Sequence, residues 1–269
     1  MTADHEDSTA RKSENSGDTS DSWETIDWEK AEAHVSRLQY RISKAQQRCE
    51  TNLVKRLQYL LVNSFYAKAL AVRRVTDSKG RHTSGVDGEI WSTSKSKMDA
   101  VRRLNIGRYR ARPLRRVYIP KKNGKLRPLS IPTMYDRAMQ ALYLMALDPV
   151  QETTADPNSY GFRKGRCCHD ARGQLFLLLS KKSSAQWVLE GDIRGCFDHI
   201  SHDWLMENIP MDKPILRQFL KAGYVFKERL FPNEEGTPQG GVISPTLANM
   251  ALNGMERLLR GHFGKGSKV

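Results

Sequence analysis

The sequence predicts an α+β protein, on three observations. Apolar residues recur every three or four positions between about Trp28 and Val75, the period of an amphipathic helix. Two short β-like runs, RRVYIP and KLRPLSIP, flank Lys122-Asn123-Gly124, and Asn-Gly between such runs marks a hairpin. Further on, a short apolar run at Trp187–Ile193 precedes a stretch opened by Ser201, a helix-capping residue type. Helices therefore cluster at the N-terminal end, and short strands enter later.

In chain order, residues 1–21 are Ser, Thr, Asp, Glu and Gly with almost nothing to bury, so a disordered acidic tail is expected. Val35, Leu38, Ile42 and Ala45, then Val54, Leu57, Leu61 and Phe65, predict two helices broken near Gln47–Asn52. Residues 76–91 form a turn-rich connector in which Gly80, Gly85 and Gly88 give backbone freedom. A short helix is expected around Ser96–Leu104, then the hairpin, then a helix over Asp136–Val150 with Met139, Leu142, Tyr143, Ala146 and Leu147 on one side. Pro157–Cys168 reads as a loop, His169–Leu179 as a helix, Trp187–Ile193 as a strand and Ser201–Ile209 as a helix. Phe231–Gly241 reads as a loop. Ser244-Pro245 then opens a helix, as a cap followed by proline, with Val242, Leu247, Met250, Ala251, Met255 and Leu258 on its apolar face.

Composition narrows the function. The chain has 269 residues, 39% hydrophobic and 28% charged, enough for a core of ordinary size. No run of about 18 apolar residues occurs, so no spanning helix and no membrane partner are expected, and no secretory signal is visible. The four cysteines, Cys49, Cys167, Cys168 and Cys196, lack C-x-x-C spacing, which argues against a disulfide scaffold and a standard zinc site. A reduced, cytoplasmic setting is the default. The net charge is +14, yet residues 1–30 hold nine acids and three bases, leaving +20 on the rest. Between Val101 and Tyr135 stand eleven bases and no acid. Such a surplus points to a polyanion, nucleic acid being the usual one.

Two segments could carry chemistry. In WVLEGDIRGCFDHISHDWL, Asp192 falls at the end of the expected strand, where a rigid, exposed carboxylate suits Mg²⁺, an ion that prefers oxygen ligands. Asp198 in the same segment reads as a local cap. In GTPQGGVISPTLANM, Pro238-Gln239-Gly240-Gly241 lets a ligand approach the backbone closely ahead of a helix start, and Gln239 could hydrogen-bond a nucleotide. Alone, an aspartate at a strand end is usually a cap or an ion-pair member, and the Pro238–Gly241 run reads equally well as a plain turn before a helix.

Together with three further segments they are more specific. Gly85–Gly88 (GVDG) with WSTS, RRVYIPKKNGKLRPLSIPTMYDRAMQ, DPNSYGFRKGRCCHDA, EGDIRGCFDHISH and GTPQGGVISPTLANM stand in one order, and in that order the chain resembles the reverse transcriptases encoded by group II introns. The resemblance runs from about residue 22 to the C-terminus. It implies right-hand polymerase fingers and a partial palm (106–269) preceded by an α-helical N-terminal extension (22–105). It implies RNA-directed DNA polymerisation: a primer 3′-OH attacks a dNTP on an RNA template, with Mg²⁺ as cofactor. Asp192 and the carbonyl of Ile193 would be metal ligands, Asp192 the catalytic carboxylate. Phe197 would be the steric gate against a 2′-OH. Lys121 and Arg127 would hold the triphosphate, Gln239 would lie under the sugar, and Pro238 would shape the pocket. Asn158, Tyr160, Gly161, Phe162 and Arg163, with Arg112, Arg115 and Arg116, would contact template or intron RNA.

Such enzymes carry a Tyr-Ala-Asp-Asp strand shortly after this point, and the sequence holds none. After Gln239 its only acid is Glu256. The expectation is a chain truncated before that strand and inactive alone. The alternatives are a non-catalytic intron-RNA-binding (maturase) module, or one half of a split enzyme completed by a second chain. Partners are then RNA, a DNA primer or target, and dNTP.

Overall fold

A computed structural model describes residues 22–122 and 124–263. The expected acidic tail (1–21) lies outside them, as does Asn123 of the expected Asn-Gly turn signal.

The N-terminal half is helical, with one more break than the periodicity suggests. α1 (Trp28–Gln47) is capped by Asp27, whose side chain accepts from the Lys30 amide at 2.9 Å. α2 (Thr51–Asn63) and α3 (Phe65–Thr76) are separated at Ser64, which takes an extended conformation. Three helices therefore stand where two were expected. The apolar spacing runs straight through Ser64, so periodicity alone cannot see that break. α4 (Ser94–Arg103) opens on a reciprocal capping box between Thr93 and Ser96.

The bundle is organised around α5 (Met134–Thr154), which is buried on nearly every face rather than on one side. Pro149 lies inside it. A proline has no N–H to give to the carbonyl four residues back, here that of Met145. Gln39 Nε2 from α1 donates to that carbonyl at 2.8 Å, and Gln58 Nε2 from α2 donates to the Ala146 carbonyl at 3.2 Å. The helix continues to Thr154 because its neighbours supply the missing donor.

The expected hairpin is present. β1 (Leu114–Pro120) and β2 (Leu126–Ile131) pair antiparallel, Arg115 opposite Ile131 and Pro120 opposite Leu126. β1 also pairs in parallel with β3 (Tyr224–Phe226), and β3 turns back into β4 (Arg229–Phe231), giving the order β2-β1-β3-β4. The second hairpin carries no turn signal. Lys227 and Glu228 at its tip have positive φ, 48° and 63°, a region that usually selects Gly or Asn. Phe231, expected in a loop, thus belongs to a strand.

The connector is pinned under the first hairpin. A Cβ on Gly85 would sit 2.6 Å from the Thr133 Cα, so only glycine permits this approach. Arg115 donates twice to the Ser84 carbonyl (3.1 and 2.8 Å), and Arg137 reaches the carbonyls of Gly80, Thr83 and Pro132.

Further on come α6 (Cys168–Leu179), α7 (His202–Asn208), α8 (Lys213–Lys221), α9 (Ser244–Leu252) and α10 (Met255–Phe263). Ser201 caps α7 as expected, accepting from the Trp204 amide at 3.2 Å. At α9 the cap is Ile243, and Ser244 is already helical. The apolar face expected there splits at Gly254 (φ 99°): Leu247 is buried, but Met255 and Leu258 are exposed on α10. The strand expected at Trp187–Ile193 is not formed. Trp187 is 94% and Leu189 97% exposed. A strand exists only through its ladder, and no described residue pairs with this segment.

Candidate functional site

Three segments distant in sequence meet beside the hairpin. The Phe197–Asp198 turn and the Gly236–Gly241 loop are laced by backbone bonds: the Thr237 amide donates to the Phe197 carbonyl at 2.7 Å and the Gly236 amide to that of Ile200 at 2.8 Å. Gly236 has φ 76°, and a Cβ there would lie 2.5 Å from the carbonyl oxygens of Phe197 and Asp198. The loop's other side joins β2, where the Ser130 amide donates to the Gln239 carbonyl at 2.8 Å. Gly240, at φ 110°, would put a Cβ 2.7 Å from the Ser130 carbonyl. From inside, α5 holds the loop, since Gln140 Oε1 accepts from the Val242 amide at 2.7 Å.

Side chains complete the junction. Arg127 Nε donates to Gln239 Oε1 at 3.1 Å, and Gln239 Nε2 donates to the Asp198 carboxylate at 3.1 and 3.4 Å. Phe197 is half-buried, and its ring meets that of Phe162 edge to face, centroids 6.2 Å apart. Phe162 itself is exposed, with φ 56°. Pro238 closes a turn by accepting from the Gly241 amide at 3.1 Å. The structure therefore brings together Arg127, Phe197, Pro238, Gln239 and Phe162. Lys121 lies exposed at the hairpin end, its backbone paired with Lys125. Asp192 and Ile193 are exposed on the irregular segment ahead of the Phe197 turn.

Other expected contacts have partners within the chain. Arg163 is the clearest. Its side chain is 3% exposed, Nε and Nη2 each donate to Glu152 at 2.8 Å, and Nη1 donates to the carbonyls of Asp156 and Ser159. It faces inward, tying its loop to α5, rather than outward to a template. Its guanidinium holds the Glu152 carboxyl below the usual carboxylate range. Arg115 is spent on the Ser84 carbonyl, Arg116 lies 3.7 Å over the Tyr224 ring, and Arg112 pairs with Asp87 at 3.4 Å. Asn158 donates to Glu256 at 3.2 Å, the Gly161 carbonyl accepts from Asn249 at 2.8 Å, and Tyr160 lies beside Arg166.

Sequence reasoning set Asp198 aside as a cap and missed His202 and Gln140. Buried His202 donates from Nε2 to the Gly236 carbonyl at 2.7 Å, so the proton sits on Nε2, since a carbonyl can only accept. Burial pushes its pKa down. The signal for Asp198 was its place next to Phe197. For Gln140 there was none, because an amide inside a helix announces no partner 102 residues away.

As a magnesium site the donor set is a fragment. Among the described residues, no group of three or more His, Cys, Asp or Glu could hold a metal ion. Asp192 and the Ile193 carbonyl offer two oxygens, and Asp198 is engaged with Gln239. A pair of ions needs more than these residues provide.

Residues 119–269 match the sequence model described as reverse transcriptase (RNA-dependent DNA polymerase), and residues 23–104 match that of the N-terminal domain of reverse transcriptase. The chain belongs to the reverse transcriptase family. It is similar to Protein YkfC of Escherichia coli, 38% identical over 74% of this chain and 55% of that protein. It is also similar to the group II intron-encoded protein LtrA of Lactococcus lactis, 36% identical over 81% of this chain and 37% of that protein. Maturase-like protein 1 of Euglena gracilis is 28% identical over 86% of this chain. A solved chain of a partial Cas6-RT-Cas1–Cas2 complex aligns with TM-score 0.46 at 22% identity, covering 77% of this chain and 35% of that one. The chain spans about half or less of the length of these first relatives. LtrA is by its name a group II intron-encoded protein, the type that the order of motifs in this chain resembles. Its α+β fold of helical extension, small sheet and mixed C-terminal half is that of fingers and palm. No helix among the described residues is long and apolar enough to cross a membrane.

Proposed function

We propose that the chain forms the nucleotide-facing fingers and first part of the palm of an RNA-directed DNA polymerase of the group II intron type. One observation carries this reading: Arg127, Gln239 and the Phe197–Asp198 turn form one connected junction although up to 112 residues separate them. A cation, an amide and an aromatic ring converge there, the groups that a nucleoside triphosphate offers partners for. Lys121 and Arg127 would meet its phosphates, and Phe197 would lie against its sugar. Magnesium, held by Asp192, the Ile193 carbonyl and carboxylates beyond those described, would supply charge neutralisation at the transferring phosphoryl group. The residues from 106 onward would act as fingers and partial palm, with 22–105 as the extension. RNA template, DNA primer and dNTP are the partners that follow, in the cytoplasm.

These 269 residues supply part of the metal shell, so alone they are expected not to extend a primer. The test is extension of a DNA primer on an RNA template with Mg²⁺ and dNTPs, wild type beside Asp192→Ala. Extension that Asp192→Ala abolishes would confirm the polymerase and overturn its dependence on further carboxylates. Absence of extension, with Mg·dNTP binding that Arg127→Ala weakens, supports the full reading. Absence of both would overturn it.

A second reading, an RNA-binding maturase module, is favoured by the exposed Lys121 and Lys122 at the hairpin end. RNA affinity that survives Asp192→Ala and falls steeply with salt would select it, since phosphate contacts dominate such binding. A complementing chain would then be needed only for synthesis.

A further inference from the structure

The Gln239 amide lies between two groups of fixed polarity. The Asp198 carboxylate can only accept, so it takes the Nε2 hydrogens at 3.1 and 3.4 Å. Arg127 Nε can only donate, so it takes Oε1 at 3.1 Å. The amide therefore has one orientation rather than two, and its sense is settled from both ends. Asp198 is the anchor on the side away from Arg127. With no acceptor there, Nε2 loses its hold, and the Gln239 side chain is tied only by the single bond from Arg127, which no longer has a fixed acceptor to lie against.

The consequence falls on the guanidinium. Binding through Nε fixes the plane of the fork, while among the described residues its two Nη groups have no hydrogen-bond partner. A planar fork held by its stem and free at its prongs is pre-organised for an oxyanion, because phosphate binds guanidinium bidentately. The backbone keeps the relay in register. Ser130 on the strand of Arg127 bonds the Gln239 carbonyl, and Gly236 fits against the Asp198 carbonyl where a Cβ would not.

We propose that Asp198 is a positioning residue: through Gln239 it aims the Arg127 guanidinium at the phosphates of the incoming nucleotide and thereby tunes triphosphate affinity. This rests on the reading of Arg127 as a phosphate-binding residue. It assigns Asp198 no contact with the nucleotide or with metal.

The experiment uses the full 269-residue chain and has two arms. In the first, without ligand, arginine-selective ¹⁵N labelling follows the Arg127 Nε–H resonance, assigned by its loss in Arg127→Lys. The resonance should be dispersed and slow to exchange in wild type, should collapse to the free-guanidinium position in Asp198→Ala and Gln239→Ala, and should persist in Asp198→Asn, which keeps an acceptor. An Arg127 resonance unchanged in Asp198→Ala overturns the proposal whatever the protein binds. The second arm titrates Mg·dATP. Asp198→Ala should weaken binding roughly ten-fold, the order expected for one lost hydrogen-bonded contact. Added to Arg127→Ala it should cause no further loss. Independent, multiplicative losses would show that Asp198 acts without Arg127 and overturn the proposal. A wild-type chain with an intact relay but no affinity for Mg·dATP refutes the phosphate role of Arg127, and with it the purpose assigned to Asp198.

Discussion

Arg163 offers the sharpest test of what this surface does. The resemblance expects a template contact, whereas the structure turns the guanidinium inward. Its Nη1 donates to the carbonyls of Asp156 and Ser159 at 2.9 and 2.8 Å, and its other donors grip Glu152. A hydrogen bond from a charged group contributes about 1.5–3 kcal/mol. The lower figure applies here, because carbonyls of a surface loop regain water once released. The Glu152 carboxylate is 40% exposed, so the ion pair is screened and is worth about 1 kcal/mol. Arg163→Ala should therefore destabilise by about 4 kcal/mol, provided the loop unfolds with the rest. For a chain of this size that lowers Tm by roughly 8–16 °C. Glu152→Gln should lower it by only about 2–4 °C. The assay is thermal unfolding by circular dichroism, with RNA filter retention beside it. A double-mutant cycle should show coupling between positions 152 and 163. An Arg163→Ala protein with wild-type Tm but weakened RNA binding would refute the argument and restore the template role.

Further outcomes follow from the same geometry. His202 has a folded pKa lowered by burial, so the unfolded chain binds the proton more readily. The stability due to neutral His202 is complete above its unfolded pKa of about 6.5 and is lost as pH falls below that value. Melting curves between pH 7.5 and 5.5 should show this slope, and His202→Gln should flatten it. Glu152, lowered chiefly by its Arg163 hydrogen bonds, contributes above about pH 4.3, and its share is lost as pH falls through the depressed folded pKa. Glu152→Gln should remove that acid limb. Gly236→Ala places a methyl 2.5 Å from two carbonyl oxygens at a positive φ, so the loop must shift. It should disperse the NMR signals of residues 196–200 and 236–241 while leaving α1–α5 unchanged. Leu142→Ala, at a fully buried site on α5, should cost about 2–5 kcal/mol by chemical denaturation.

Much of the fold was legible because its causes are local. Ser201 sits where a side chain must satisfy the first free amides of a helix and does so, as Asp27 and Thr93, which the sequence reading did not single out, do for α1 and α4. The Asn-Gly turn and its flanking β-branched runs specify a hairpin without help from elsewhere. What escaped has non-local causes. β3 exists because Leu114 and Arg115 offer a free edge 110 residues earlier, and its tight turn uses Lys and Glu at positive φ. The apolar run at Trp187–Ile193 has strand character but no neighbour among the described residues, and pattern cannot report whether a partner is present.

The sequence by itself determined the family, the order of five motifs, the basic surplus and the residue types able to meet a nucleotide. Each follows from identity and spacing, which survive in one dimension. Only tertiary structure decided which cations are free. Arg112, Arg115, Arg116 and Arg163 look alike on paper, yet all four are engaged by carboxylate, carbonyl or ring, while Arg127 is bound by its stem and open at its fork. Likewise Asp198 is an ordinary cap in sequence and the anchor of Gln239 in space. The reason is that hydrogen bonds are directional and short-ranged. Which donor is left for a ligand depends on which acceptors folding brings within about 3 Å, and that is a property of the packed chain alone.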